Sequence, residues 1–461
     1  MILVGSRKKA TAWFVATSIL IPMDQVLVVG GLHFSMLRIL ALFGIVRLLR
    51  EKFSHHRRIF SGGINKIDLA VIGVTVSIAL AGILLFKEMA AAVYQFGSVY
   101  TVFGMYFLLR FLIRTQEDIL DVIRTLAYVA AFIAAVMTWE VVTGHSPYAL
   151  LAGAKSYFYV NLSARDDRIR AVGCFGHSIL AGTFGAIILP LFVILWREGK
   201  RKGRREGKKD RALAAAGMIA ATVITLTSNS STPILAYAGG VLALTMWPLR
   251  NWMRAVRWGI VLTTVTLHLV MKAPVWHLIS RIDISGGSSS WHRFNLIDQC
   301  IRHFGDWWLI GVKDTADWGW DMWDTANQYV GICDSSGLLA FLLFLATIVY
   351  GFKYLGKARK AIGDKAQKIF LWGLGSALFA NVVAFVGISY WDQTQVVWYA
   401  LLAAICVVPT LQRDAMRARH REASLAAGWA EGWATPAAVA EPCSTAPRPP
   451  EPTPHPNSFA S

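Results

Sequence analysis

Again and again this chain runs for roughly 20 residues almost without charge, long enough to cross a membrane core about 30 Å thick as a helix. These runs constrain the fold more than any motif does. In lipid every backbone amide and carbonyl must find its partner within the protein, which leaves helices as the simplest way to span. The 461 residues include only 16% charged residues, against about 25% in soluble domains. The expected fold is therefore all-α, a polytopic membrane helix bundle.

The first run, 11–22, follows Arg7, Lys8 and Lys9 and has no small-x-small cleavage site, so it reads as an uncleaved anchor. The second, 26–49, carries Arg38 near its middle, where a charge is expensive and normally faces a cavity or partner. Further runs cover 67–86, 90–113, 119–141, 178–196 and 212–227. An eighth reaches 247, a ninth ends near 270, and three more cover 338–350, 369–388 and 396–411. Residues 1–411 thus hold about 12 transmembrane helices. Residues 412–461 form a cytoplasmic tail, largely disordered, with Pro, Ala, Ser and Glu dominating beyond Glu441.

A net charge of +18 invites a nucleic-acid reading, but no nucleic-acid motif accompanies it. The basic residues instead fall in alternate loops, as the positive-inside rule requires. The densest run, REGKRKGRREGKKDR (197–211), sits between two apolar spans and reads as a solvated cytoplasmic loop. Both termini are then cytoplasmic. The two long polar segments, 143–177 and 271–337, face the outside, the second lying between spans nine and ten.

The 271–337 loop holds seven of the 18 tryptophans. Trp291, Phe294, Ile297, Ile301, Phe304 and Trp308 recur every three or four residues, the apolar stripe of an amphipathic helix lying along the membrane interface or over the bundle. One of Ser288, Ser289 and Ser290 can cap its start. Arg293 lies beside the stripe, where a lipid-linked phosphate would sit, although interfacial arginines also simply snorkel. Trp318, Trp320 and Trp323 alternate with Asp314, Asp317, Asp321 and Asp324. An aromatic belt explains the tryptophans alone; platforms for sugar rings, with carboxylates accepting hydroxyl hydrogens, explain both residue types. A divalent ion is a rival use of the aspartates, but Gly319 interrupts their spacing and no metal is assigned. Asp324 is the preferred general base, and His292 or His303 the nearby alternatives.

The smaller loop offers Arg165, Asp166, Asp167, Arg168 and Arg170 before GCFGH (173–177). A helix starting at Ser178 presents amides to an anion, so Arg170 with that start makes a second anion contact. His177 reads either as a proton shuttle or as a hydrogen-bonded helix-mouth residue. Of the five cysteines, Cys300 and Cys333 share the large loop and can pair if it faces an oxidising compartment.

Four patches in order resemble the O-antigen ligase and polymerase superfamily of bacterial membrane glycosyltransferases: RIRAVGCFGHSILAG (168–182), SNSSTPILAYAGG (228–240), SSSWHRFNLIDQCIRHFGDWWLIGVKD (288–314) and DTANQYVGICDSSGLLAF (324–341). The resemblance spans most of residues 10–411. It implies the bacterial inner membrane, a donor glycan on undecaprenyl diphosphate, a saccharide acceptor, and other polysaccharide assembly proteins as partners. It carries the family's phosphate-binding arginines onto Arg170 and Arg293, and its motif asparagine onto Asn327, ten residues before Gly337. One departure matters: Ala326 stands where the ligases have their catalytic histidine. The wording of the loop is most similar to exopolysaccharide or capsule polymerases.

The expectation is transfer or polymerisation of lipid-diphosphate-linked saccharides at the outer face of the membrane. Asp324, Arg293 and Arg170 are the catalytic candidates. Asn327, Trp318, Trp320, Trp323, Asp321, His292 and His177 are the substrate-binding candidates. No cofactor is called for, because the lipid diphosphate is itself the leaving group. The alternatives are ligation onto a lipid A core, transport of a polysaccharide or lipid, and a non-catalytic assembly role.

Overall fold

The computed structural model describes residues 3, 5–22, 25–30, 32–55, 59–152, 159, 162–165, 167–281 and 289–434. The tail beyond 434, Asp166 and Ser288 lie outside the described residues. The chain divides into two units, Met1–Arg413 and Asp414–Ser461, and residues 414–434 of the second are helical.

The longer helices, in order, are α1 (Arg7–Leu20), α2 (Met36–His55), α3 (Lys66–Phe86), α4 (Met89–Leu112), α5 (Gln116–Thr143), α6 (Ser178–Arg201), α7 (Arg204–Thr227), α8 (Ser231–Thr245), α9 (Met253–Val270), α10 (Ser289–Arg302), α11 (Gln328–Ala361), α12 (Lys365–Ala384) and α13 (Thr394–Ala434). Eight of them, α3 to α7 and α11 to α13, contain a segment long and apolar enough to cross a membrane. A ninth arises if α9 and the short 3-10 helix Val275–Arg281, bent by 91° from it, count as one span. The chain is thus nearly all helical and of multi-pass membrane type.

The remaining three runs fall short of full spans. α1 has 14 residues and α8 has 15. The run over 26–49 does not form one helix. VLVV and LHFS pair as an antiparallel hairpin, Val26–Val29 with Leu32–Ser35, and α2 starts only at Met36. β-branched residues around Gly30, which turns at φ +59°, favour the hairpin over a helix. Arg38 consequently lies in the first turn of α2 rather than at mid-span.

The core is built around α6, whose most apolar window is 89% buried. α5, α7, α8 and α12 pack against it. Close approach depends on small residues: a Cβ at Gly182 would lie 2.2 Å from Ser228 Oγ, so only glycine lets α6 and the α7–α8 junction touch. Elsewhere α3 and α4 are locked by a fully buried pair, Arg110 Nε to Asp68 Oδ1 at 2.9 Å, which Tyr106 joins at 2.6 Å. Several basic loop residues are also held in ion pairs: Arg124 bridges Glu117, Asp121 and Asp210, and Arg7 pairs with Asp118 at 3.0 Å.

α11 begins ten residues before the expected span and is broken at Gly337, whose φ of +79° admits few other residues. The segment 308–312 fills the break. Leu338 N donates to Trp308 O at 2.9 Å and Val312 N to Asp334 O at 2.6 Å. A side chain at Gly337 would meet Leu309 O at 2.6 Å. The large loop is therefore keyed into a transmembrane helix through a backbone-to-backbone contact.

Candidate functional site

Between α7 and α8 the chain turns through Ser228, Asn229 and Ser230, with Asn229 left-handed at φ +43°. Ser230 is the N-cap residue of α8 and its own side chain makes no cap hydrogen bond; Pro233, third in the helix, has no N–H, so the amides at this end that can meet an anion include those of Ser231 and Thr232. Two buried arginines from distant segments reach this junction. Arg170 Nη2 donates to Ser230 Oγ at 2.8 Å, and Arg293 Nη1 reaches Ser231 Oγ at 3.5 Å. They are 8% and 6% exposed, so both guanidinium charges act at low effective dielectric.

Each arginine is placed by backbone contacts. Arg170 N donates to Ser163 O and Ala171 N to Thr227 O, tying the loop between α5 and α6 to the end of α7. The following turn hangs from Glu140 of α5, a buried carboxylate that accepts Val172 N at 2.8 Å, Gly173 N at 2.9 Å and the Ser146 hydroxyl. Arg293 emerges from the buried side of α10, beside Leu296 and Cys300. It packs against Gly387, where a Cβ would lie 3.0 Å from Arg293 Nε and 2.2 Å from Thr232 Oγ1. Thr232 Oγ1 donates to Gly387 O at 3.2 Å, closing the contact.

Gly387 belongs to a short loop, 385–393, that sequence reasoning passed over. This loop gathers the other patches. Val386 O accepts Asn327 Nδ2 at 3.0 Å, Gln328 Oε1 accepts Tyr390 N at 2.7 Å, and Ser389 Oγ donates to Thr325 O at 2.9 Å. Gln393 Nε2 reaches Cys174 O at 2.7 Å. Asp392 is buried, and desolvation lifts its carboxyl to about 6 against the backbone and side-chain donations of Thr394. The available signal was composition: VGISYWDQ places Asp and Gln between two apolar runs, where polar groups need partners.

The other candidates separate into distinct roles. Asn327 is fully buried and caps α11, accepting Tyr329 N at 3.0 Å and Val330 N at 3.2 Å. His177 caps α6, its Nδ1 accepting Ile179 N at 3.1 Å. The helix start flanked by the two arginines is thus that of α8, not that of α6. Trp318 is buried and stacks on His303, centroids 5.2 Å apart, within the small apolar core of the loop. Trp320 and Trp323 stand 82% and 71% exposed and are the aromatic faces open to a ligand.

His292, next to Arg293 on α10, turns to the 321–324 segment. Its Nε2 lies 2.9 Å from Asp324 O, and its Nδ1 is 3.9 Å from Asp321 Oδ2. Asp321 holds a left-handed φ of +60°. Asp324 is accessible at its edge, yet partial burial raises its carboxyl above the ordinary value; His292 opposes the rise and Asp321 adds to it. Two aspartates and a histidine therefore share one exposed rim beside the arginine helix. The predicted stripe is divided: Trp291 and Ile301 of α10, and Phe304 and Trp308 beyond its end at Arg302, stand near half exposure, whereas Ile297 packs inward against the cluster of Leu296, Cys300 and Trp307.

Cys300 and Cys333 are both free thiols, buried in the same cluster and in side-chain contact. Among the described residues no group of three His, Cys, Asp or Glu side chains is arranged to hold a metal ion. No protein-family model matches the chain, and no curated protein matches it.

Proposed function

We propose that this protein is a membrane glycosyltransferase whose donor is a saccharide on a polyprenyl diphosphate, and that it polymerises such units in polysaccharide biosynthesis. The observation that carries the reading is the convergence of Arg170 and Arg293 on adjacent serines at the start of α8. Two permanent cations and a helix N-terminus at one point suit a diphosphate, which needs several charge-assisted hydrogen bonds.

In this reading the α9 pair and the three helices that fall short of full spans, α1, α2 and α8, complete twelve passes in the inner membrane, the short ones accommodated by local thinning of the bilayer. Both termini are cytoplasmic and the tryptophan-rich loop faces the periplasm. The diphosphate sits between the arginines, with the saccharide reaching toward the 318–324 segment. The acceptor hydroxyl gives its proton to Asp324, or to His292 beside it. Its oxygen then bonds to the anomeric carbon as the bond from that carbon to the diphosphate oxygen breaks. The charge developing on the leaving diphosphate is met by Arg170, Arg293 and the α8 amides, a preorganised electrostatic contribution. Trp320 and Trp323 offer faces for sugar rings. Ala326 leaves the proton to the Asp324–His292 pair.

The test is polysaccharide chain length in cells carrying Arg170→Ala, Arg170→Lys, Arg293→Ala or Arg293→Lys, with protein level measured beside it. The alanine variants are expected to make no long chains and the lysine variants short ones. Normal chains from both alanine variants at wild-type protein level would defeat the proposal.

A further inference from the structure

The loop that holds Arg293 through Gly387 also borders a cavity. Phe385, Tyr390 and Trp391 of that loop contribute to a cleft of about 480 Å³. One side of it is apolar, from Val71 and Ile78 of α3, Ile332 and Phe344 of α11, and Trp398 of α13, and the rest is polar, with Thr75, Ser98, Thr101, Gln328 and Gln395 among its residues. A volume in the range of small-molecule pockets with an apolar side and a polar side suits a ligand that is itself divided in this way.

The one cationic side chain lining the cleft is Arg38. The start of α2 carries it, and Gly97 of α4 lies against it, since a Cβ there would be 2.5 Å from Arg38 Nη2. Arg38 Nη1 donates to His33 O at 2.6 Å and Nε to Thr101 Oγ1 at 3.2 Å, both neutral acceptors. Among the described residues no carboxylate forms an ion pair with it. A half-buried cation in a cleft between membrane-type helices, satisfied only by neutral acceptors, favours an anion there. A free anion would use the arginine and leave the apolar side unused; a neutral ligand would leave the arginine without a counter-charge. An amphiphile uses both.

We infer that the Arg38 cleft is a second lipid site, separate from the Arg170–Arg293 pair, for a membrane amphiphile with a phosphate head and a long hydrocarbon chain. The head lies on the Arg38 guanidinium, and the chain lies among Val71, Ile78, Ile332, Phe344 and Trp398. Isoprenyl phosphates and anionic phospholipids share this chemistry. The inference does not depend on the transfer reaction, but a lipid held here would sit one loop away from the donor diphosphate, where a reaction joining two lipid-linked units needs its second lipid.

The experiment uses full-length protein in neutral detergent carrying Arg170→Ala and Arg293→Ala, so that only the second site is counted and failure of the donor assignment leaves the result untouched. Native mass spectrometry measures binding of farnesyl phosphate and of phosphatidylglycerol, with inorganic phosphate as competitor. Both amphiphiles are expected to bind, and a preference for either identifies the source. Adding Arg38→Ala should weaken binding by about 10-fold or more, while Arg38→Lys keeps part of it. Ile332→Trp, which fills the chain region and leaves Arg38 in place, should weaken it as well. Unchanged affinity in both Arg38→Ala and Ile332→Trp, or displacement of the amphiphile by inorganic phosphate at equal concentration, would overturn the inference.

Discussion

Arg170 and Arg293 donate to neighbouring hydroxyls, Ser230 and Ser231, at 2.8 and 3.5 Å, although one arginine comes from the loop between α5 and α6 and the other from a loop helix far along the chain. Their meeting defines the site, and a small set of neighbouring contacts enforces it.

Gly387 is the contact most sensitive to a single methyl group. A Cβ there would intrude on Thr232 Oγ1 at 2.2 Å and crowd Arg293 Nε at 3.0 Å. Gly387→Ala should lower chain polymerisation several-fold and lower the melting temperature too, because Thr232 is buried and its stiff, β-branched side chain would have to move. Thr232→Ala added to it should restore part of the activity. A double variant no better than the single would place the clash elsewhere.

Glu140 holds the Arg170 turn from below. Glu140→Ala leaves the Val172 and Gly173 amides buried without their acceptor, at about 1–3 kcal/mol each. Glu140→Gln keeps an oxygen for both amides and offers its NH2 group to the Ser146 hydroxyl. Thermal unfolding in detergent should therefore rank wild type, then Gln, then Ala, with the alanine variant clearly lowest. Equal melting temperatures for Gln and Ala would mean that the carboxylate oxygens do not carry the turn.

In the proposed transfer Asp324 sets the pH response. Its carboxyl is raised above the usual range by partial burial and by Asp321, while His292 pulls it down. A general base must be unprotonated, so the rate should fall as pH drops through a value above the ordinary carboxylate pKa of about 3.9. Asp321→Asn removes a like charge and should move that limb to lower pH; His292→Ala should move it higher. A limb unmoved by either change would take Asp324 out of the proton path.

The Cys300 and Cys333 thiols touch across the α10–α11 contact. Mild oxidation of purified protein should join them, seen as loss of two alkylatable thiols that reducing agent restores. Neither Cys300→Ser nor Cys333→Ser should show the loss. Persistent labelling of all thiols after oxidation would show that α10 is not seated on α11 in this way.

Much of the helical architecture was legible in the sequence because lipid-length apolar runs leave few alternatives. The 26–49 run misled for a physical reason: hydropathy does not distinguish a β-branched hairpin around Gly30 from the first half of a span. Arg293 was legible as a charge beside an apolar stripe and Arg170 as a charge before a helix start, but their meeting at the start of α8 was not, since no local pattern encodes a contact between such distant segments. Trp318, Trp320 and Trp323 look alike in sequence. Only packing separates the first, stacked on His303, from the two that face outward. The 385–393 loop escaped notice because much of its work is done by backbone carbonyls and a glycine, and its one chemical label, Asp392 and Gln393 between two apolar runs, is short.

The most direct test of the central claim is farnesyl diphosphate binding to purified protein in an Arg38→Ala background, compared across wild-type arginines, Arg170→Ala, Arg293→Ala and the pair together. If one diphosphate bridges both guanidinium groups, each single change should weaken binding by about 10-fold or more, and the double change by less than the product of the two. Unchanged affinity in both single variants would contradict the account.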